Sequence, residues 1–114
     1  MNLIVTDTNV FFDIISIGAL PELFSLELDI CTTDFVVKEI LESNQKEQIE
    51  AFIRSQKLIV FCLTASEVEE ILRFQTRRSF KGITDKTVLW KALKLKCPLL
   101  TGDKKLRNEA IDLN

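Results

Sequence analysis

Two short apolar segments of this chain end in a threonine that is followed closely by an aspartate. Residues 2–6 are β-branched and apolar enough for a buried strand, and Asp7 comes directly after them. Residues 97–100 form a second apolar run, which Thr101 and Asp103 follow. In open α/β sheets, ligands bind at the carboxyl ends of the strands. The sequence therefore predicts that Asp7 and Asp103 meet at one edge of a sheet.

Strand-like and helix-like patterns alternate between these two segments. Further strands are predicted at residues 28–32 and 58–63, and apolar residues at helical spacing predict helices between the strands. One helix is expected to begin with a capping sequence at Ser66 and to run towards Arg78, and Thr84 is expected to cap the next helix. This alternation predicts a three-layer α/β/α sandwich with a parallel central sheet of about four strands.

Length and hydropathy predict one soluble domain. The chain has 114 residues, of which 46% are hydrophobic, and this is enough for an independent core. Its uncharged apolar runs are far shorter than the roughly 18 residues that suggest a membrane span, and the N-terminus lacks a signal-peptide pattern. We find no repeat, linker or low-complexity segment. A single cytoplasmic domain over residues 1–114 is the expectation.

The cysteine and histidine content restricts the chemistry. Cys31, Cys62 and Cys97 are widely spaced within apolar runs, so buried free thiols are predicted rather than a disulfide framework or a zinc site. The chain contains no histidine, which excludes Ser-His-Asp and Cys-His catalysis and imidazole-based zinc centres. Any metal would be held by oxygen ligands.

Charge is distributed unevenly along the chain. Residues 1–72 carry four basic residues against thirteen acidic ones, whereas residues 73–107 carry eleven basic residues against two acidic ones. Such asymmetry predicts an acidic region and a basic region on the folded surface, and a basic region beside carboxylates suits a polyanionic substrate. Two ordinary solvated faces are the alternative interpretation.

Two further acids, Glu39 and Asp85, are candidates for the same site as Asp7 and Asp103. Each of the four also has a purely structural interpretation. Asp7 can cap a helix, and Asp85 can stabilise the N-terminus of a helix through its charge. Asp103 can occupy a turn, and Glu39 can lie on an exposed surface. If all four converge, their charges repel one another unless a cation neutralises them. Magnesium or manganese, with waters completing an octahedral shell, suits such an all-oxygen site.

The order and spacing of four motifs, rather than any one of them, resemble a known family. The motifs are VTDTNV at residues 5–10, DFVVKEI at 34–40, ITD at 83–85 and PLLTGD at 98–103. Together they resemble the PIN domain, the nuclease fold of VapC-type toxins and related ribonucleases, over nearly the whole chain. In that family the corresponding acids hold one or two divalent cations at the carboxyl edge of a parallel sheet. The resemblance thus implies catalytic and metal-binding roles for Asp7, Glu39, Asp85 and Asp103, with Asn9 and Thr101 as supporting polar residues.

The resemblance also implies partners and a boundary. VapC-type toxins form homodimers and are inhibited by an antitoxin, so both partners are expectations here. The chain stops at Asn114, about where a final edge strand begins in many relatives, so either a short variant or a truncated form is expected. The segment before Asp85 is unusually basic, and we predict that RNA phosphates contact Arg77, Arg78, Lys81 and Lys86. A solvated helix end is the alternative for this segment.

The resulting prediction is a metal-dependent ribonuclease that hydrolyses RNA phosphodiester bonds, with a role as the toxin of a toxin-antitoxin pair. A haloacid-dehalogenase-like phosphatase would need a second Asp where Asn9 stands, and a receiver domain would need an acid at the end of residues 58–63. A phosphate-cradling glycine loop is absent. The remaining alternative is a catalytically silent PIN-like module that binds RNA or a protein.

Overall fold

The computed structural model describes residues 2–80 and 82–113 of the chain. Within them, strands and helices alternate along the chain as predicted. The elements are β1 (Leu3–Thr6), α1 (Thr8–Ser16), α2 (Leu20–Phe24), β2 (Asp29–Thr33), α3 (Asp34–Glu39), α4 (Ser43–Arg54), β3 (Ile59–Phe61), α5 (Ala65–Arg73), α6 (Ile83–Leu95), β4 (Leu99–Leu100) and α7 (Lys104–Leu113).

The strands form one parallel sheet in the order β3-β2-β1-β4. Val5 of β1 lies opposite Cys31 of β2 on one side and opposite Leu99 of β4 on the other. Because every pairing is parallel, the carboxyl ends of all strands meet at the same edge of the sheet. The predicted α/β fold with a four-stranded parallel sheet is thus confirmed, and β1 and β4 are neighbours.

Buried strand residues and helix residues together form the hydrophobic core. Val5 and Ile30 are fully buried in the two central strands. Phe11 of α1 and the adjacent Val88 and Leu89 of α6 are fully buried too, and they belong to the same cluster. Central parallel strands are covered by helices on both faces, which explains why their sequences read as continuous apolar runs.

Two helix starts differ from those predicted. The helix expected to start at Ser66 is α5, which Thr64 caps by accepting a hydrogen bond from the Glu67 N–H, while the Glu67 side chain accepts one from the Thr64 N–H. This reciprocal pair is a capping box. The next helix, α6, begins at Ile83 with Gly82 in the capping position, so Thr84 lies inside its first turn.

The expectation that all three cysteines are buried is wrong for Cys62. Cys31 is buried in β2 and Cys97 is partly buried, but Cys62 is exposed. Cys62 comes just after β3, and β3 is an edge strand with a neighbouring strand on one side only. Cys62 is therefore less covered than Cys31 in the central strand β2. None of the helices in the described residues has the length and apolar character needed to cross a membrane.

Candidate active site

Asp7 lies at the junction between β1 and α1 and is only 2% exposed. Its Oδ1 accepts a hydrogen bond of 3.0 Å from the backbone N–H of Val10, which makes Asp7 the N-cap of α1. Its Oδ2 accepts a hydrogen bond from the hydroxyl of Thr101. The structural and functional interpretations of Asp7 therefore coexist, since the cap holds a carboxylate at the carboxyl edge of the sheet.

Thr101 connects Asp7 to Asp103. Its Oγ1 also accepts a hydrogen bond of 3.0 Å from the backbone N–H of Asp103. Asp103 in turn accepts hydrogen bonds through Oδ1 from the backbone N–H groups of Lys105 at 2.9 Å and Leu106 at 3.4 Å, at the start of α7. These contacts leave Oδ2 of Asp103 without a hydrogen-bond partner among residues 2–80 and 82–113.

Glu39 is brought to the same region by a second threonine. It is the last residue of α3, and its Oε1 accepts a hydrogen bond of 2.6 Å from the hydroxyl of Thr8. Thr8 directly follows Asp7 in the chain and is buried. The Glu39 side chain itself is exposed. Thr8 and Thr101 thus connect three of the four predicted acids.

Asp85 lies in the first turn of α6 and is half-buried. Burial raises the pKa of its carboxyl group above the ordinary value, and the negative charges of Asp103, Asp7 and Glu39 raise it further. Lys105 has the opposite, smaller effect. Each of the other three acids is therefore close enough to repel the charge of Asp85.

The pKa of Asp7 is raised as well. Burial is the main cause, the hydrogen bonds from Thr101 and Val10 oppose it, and the charge of Asp103 adds to it. Carboxylates that repel one another in a partly buried site favour the binding of a cation.

An open cleft of about 590 Å³ lies beside two of these acids, Glu39 and Asp85. Its wall combines polar, acidic, cationic and apolar side chains. The cleft is lined by Thr8, Asn9, Phe12, Lys38, Glu39, Leu41, Gly82, Thr84 and Asp85. The predicted supporting residue Asn9 is thus exposed in this cleft.

The donor set fits a divalent ion that retains most of its waters. Within the described part of the chain, no group of three or more Asp, Glu, Cys or His side chains is arranged closely enough to hold one ion. Magnesium, however, is commonly bound by one or two carboxylates while several waters complete its octahedron. The four acids supply hard oxygen ligands of this kind. They therefore suit magnesium or manganese that keeps part of its water shell, and they do not form a fully enclosed metal site.

The residues predicted to contact RNA differ in their surroundings. Arg77 is exposed, and Lys86 lies half-buried in α6 next to Asp85. The guanidinium of Arg78 forms ion pairs with Glu109 at 2.9 Å and with Asp112 at 2.8 Å. Lys81 lies outside the described residues.

Three residues that contact the site or the segment before it were not predicted from the sequence. Thr8 is a neighbour of Asp7, and only the fold shows that Glu39 reaches it. Lys105 acts on the charge of Asp85. The sequence pattern does indicate that Glu109 is buried, because it lies three residues after the buried Leu106 of α7 and so shares the apolar face of that helix.

Comparison with known proteins agrees with the fold. The family model for the PIN domain matches residues 4–111. A similar solved structure is a PilT N-terminus domain protein from the hyperthermophilic archaeon Sulfolobus solfataricus P2, with 13% sequence identity and a TM-score of 0.56, and the match covers 97% of this chain and 81% of that one. No curated protein matches the chain. The chain therefore belongs to the PIN domain family, whose members are generally nucleases.

Proposed function

We propose that this protein is a divalent-metal-dependent endoribonuclease that hydrolyses RNA phosphodiester bonds at the carboxyl edge of its sheet. The observation that carries the proposal is the pair of threonine contacts that gather the acids. Thr101 connects Asp7 with Asp103, and Thr8, which directly follows Asp7, donates a hydrogen bond to Glu39. Acidic residues from the β1–α1 junction, from α3 and from the β4–α7 junction are thus linked to one another. Helix capping alone does not require such links.

The acids have different roles in this proposal. Asp7 and Asp103 follow adjacent parallel strands and would be the main ligands of magnesium or manganese. Glu39 and Asp85 belong to helices and would bind a second ion or orient the attacking water. When bound, a divalent ion activates water for hydrolysis and stabilises the charge that develops on the phosphate.

The protein itself contributes ligand orientation. The hydrogen bonds from Val10 and Thr101 fix both oxygens of Asp7, and each oxygen retains a lone pair for an ion. Asp103 uses Oδ1 to hold the start of α7, which leaves Oδ2 for the site. Asp85 binds a cation only as the carboxylate, and because its pKa is raised, its contribution to cation binding should weaken as the pH falls towards that pKa.

RNA as the substrate is supported by charge and by the shape of the cleft. Eleven basic residues lie within residues 73–107, and they include the exposed Arg77 and Lys86, which directly follows Asp85 in the chain. The open cleft presents the Lys38 side chain and the ring of Phe12 beside Glu39 and Asp85. Cations can contact phosphates, and aromatic rings can stack on the bases of single-stranded RNA.

A cleavage assay tests this proposal. The protein is incubated with a mixed pool of single-stranded RNA in magnesium, in manganese or in EDTA, and the same sequences are supplied as DNA. We expect RNA cleavage that needs a divalent ion and that exceeds DNA cleavage. RNA that stays intact with folded protein in every metal would contradict the proposal and would favour a binding module without catalysis.

We further propose that the protein is the toxin of a toxin-antitoxin pair, acts in the cytoplasm and has a homodimer and an antitoxin as partners. The resemblance of its four motifs to VapC-type toxins supports this part of the proposal. Induced expression in a bacterial host should then arrest growth, whereas Asp7→Asn expressed to the same level should not. Equal growth of both cultures, with wild-type protein that cleaves RNA in vitro, would contradict the toxin role and leave a ribonuclease of another kind.

A further inference from the structure

A fully buried carboxylate on α7 holds the segment that precedes the acidic site. Glu109 is 0% exposed. Its Oε2 accepts a hydrogen bond of 2.7 Å from the backbone N–H of Arg77, and its Oε1 accepts one of 3.1 Å from the backbone N–H of Arg78. Oε1 also accepts a hydrogen bond of 2.9 Å from the Arg78 guanidinium. We call these three contacts the Glu109 latch.

The latch satisfies a charge that would otherwise be costly to bury. Burial disfavours the ionised form of Glu109, but the hydrogen bonds from the backbone of Arg77 and from Arg78 outweigh it and lower the pKa of Glu109. Asp112 lies on the outer side and accepts a further hydrogen bond of 2.8 Å from the Arg78 guanidinium. Loss of the Glu109 carboxylate would therefore break all three contacts, whereas loss of the Arg78 guanidinium would leave the two backbone contacts of Glu109 in place.

A second contact connects the same segment to α7 and to the acids. The Lys105 ammonium donates a hydrogen bond to the backbone carbonyl of Ser79 and lies 5.7 Å from the centre of the Phe80 ring. The positive charge of Lys105 is also close enough to Asp85 to offset part of the rise in the pKa of Asp85. Helix α7 therefore holds the segment at two points, and one of them adjoins the acidic site.

The two arginines of this segment are in different situations. The Arg78 side chain is 32% exposed, and its guanidinium contacts two carboxylates. The Arg77 side chain is exposed, and we find no ion pair for it within residues 2–80 and 82–113. Since the latch binds the backbone of Arg77, it fixes the position from which that side chain extends.

We propose that Glu109 is a positioning residue that fixes residues 77–80 so that Arg77 contacts RNA phosphate, and that Arg78 serves the latch instead of the substrate. This inference rests on the proposed ribonuclease function. It assigns different roles to two adjacent arginines, which makes Arg77→Met and Arg78→Met a matched pair of variants.

Salt dependence of RNA binding separates the two roles. Both arginine substitutions are made in an Asp7→Asn background, so that a fluorescently labelled single-stranded RNA is bound without being cut, and the dissociation constant is measured over a range of salt concentrations. Loss of one phosphate contact lowers the slope of log K against log salt by about 0.7 for single strands. We expect that decrease for Arg77→Met and an unchanged slope for Arg78→Met. An equal decrease for Arg78→Met would overturn the inference.

Glu109→Gln tests the latch directly, with Asp112→Asn as its control. Because the NH2 group of glutamine cannot accept a hydrogen bond, hydrogen exchange should accelerate in Glu109→Gln at the amide of residue 77, of residue 78 or of both. Asp112→Asn should not accelerate exchange at either amide, and protection elsewhere shows that the variants are folded. Glu109→Gln should also raise the dissociation constant for RNA at least as much as Arg77→Met does. Faster exchange at either amide with unchanged RNA affinity would show that the latch has no positioning role.

These measurements distinguish failure of the inference from failure of the proposed function. If the Asp7→Asn parent binds no RNA and the wild type cleaves none, the ribonuclease proposal is wrong and the positioning role falls with it. If the parent binds RNA but the two arginine variants behave alike, only the inference is wrong. If Glu109→Gln unfolds, the slopes of Arg77→Met and Arg78→Met decide, because Arg78→Met keeps both backbone contacts of Glu109.

Discussion

Thr101 donates its hydroxyl hydrogen bond to Oδ2 of Asp7, although the two residues are 94 positions apart in the chain. The same hydroxyl oxygen accepts a hydrogen bond from the backbone N–H of Asp103. One small side chain thus sets the relative position of two acids that follow neighbouring parallel strands.

Thr101→Val should impair this arrangement while leaving the side-chain volume nearly unchanged. Asp7 and the Asp103 N–H would each lose a partner, and leaving such buried groups unsatisfied costs about 1–3 kcal/mol. We expect lower unfolding free energy in urea and weaker metal-dependent RNA cleavage.

Thr101→Ser is the matched control, because it keeps the hydroxyl group. It should retain most of the cleavage activity of the wild type. If Thr101→Val and Thr101→Ser cleave RNA equally well, the hydroxyl does not position the acids.

Asp85→Asn should have opposite effects on stability with and without metal. In EDTA, removing a charge that Asp103, Asp7 and Glu39 repel should raise the melting temperature at neutral pH. In magnesium, the variant should gain less stability than the wild type, because it has lost a proposed ligand. Thermal unfolding in both buffers measures the two effects, and a lower melting temperature in EDTA would contradict the proposed repulsion.

The stability difference between Asp85→Asn and the wild type in EDTA should depend on pH. Because the pKa of Asp85 is raised from 3.8, the folded protein binds more protons than the unfolded chain just above that pH. Asp85 therefore lowers the free energy of unfolding progressively as the pH rises from about 3.8 through the raised pKa. The stability difference between Asp85→Asn and the wild type in EDTA should shrink as the pH falls through that range, and a constant difference would contradict it.

Thr64→Ala tests a helix cap that belongs to α5. The substitution removes the acceptor for the Glu67 N–H and breaks the capping box, which should cost about 1 kcal/mol of unfolding free energy. Thr64 is exposed and does not line the cleft, so RNA cleavage at a temperature where the variant is folded should be unchanged. A large loss of activity in folded Thr64→Ala would show that α5 is coupled to the site.

The three thiols should react with iodoacetamide at different rates. Cys62 is exposed, whereas burial raises the pKa of the Cys31 thiol to about 12 and also raises that of Cys97. Since the thiolate is the reactive form, native protein should be modified first at Cys62 and last at Cys31. Peptide mass spectrometry over time measures the order, and early labelling of Cys31 would contradict its buried position in β2.

Strand order along the chain and the acids at strand ends were predictable from sequence. The apolar runs that became β1 and β4 are short and bounded by Asp7 and Asp103, and parallel pairing then brings those residues to one edge. The exact helix starts were less predictable. Thr64 and Ser66 are both good N-cap residues with an acid three positions later, and only the backbone geometry shows that Thr64 is the cap.

Contacts between distant segments could not be predicted from one sequence. Nothing in the pattern indicates that Thr8 reaches Glu39 or that Arg78 is paired with Glu109. Both contacts depend on how helices dock on the sheet, and helix docking is set by side-chain packing rather than by local periodicity. A basic run was visible in the sequence, but the different surroundings of Arg77, which is exposed, and Arg78, which is paired with carboxylates, were not.

The most direct test of the central claim compares wild type with Asp7→Asn in RNA cleavage with manganese, magnesium or EDTA. Asparagine is as good an N-cap as aspartate, so it can still accept from the Val10 N–H, and Thr101 can rotate its hydroxyl to suit an amide. We therefore expect a folded variant, shown by circular dichroism and an unfolding curve like that of the wild type, with no cleavage in any metal. Metal-dependent cleavage retained by folded Asp7→Asn would contradict the assignment of the active site.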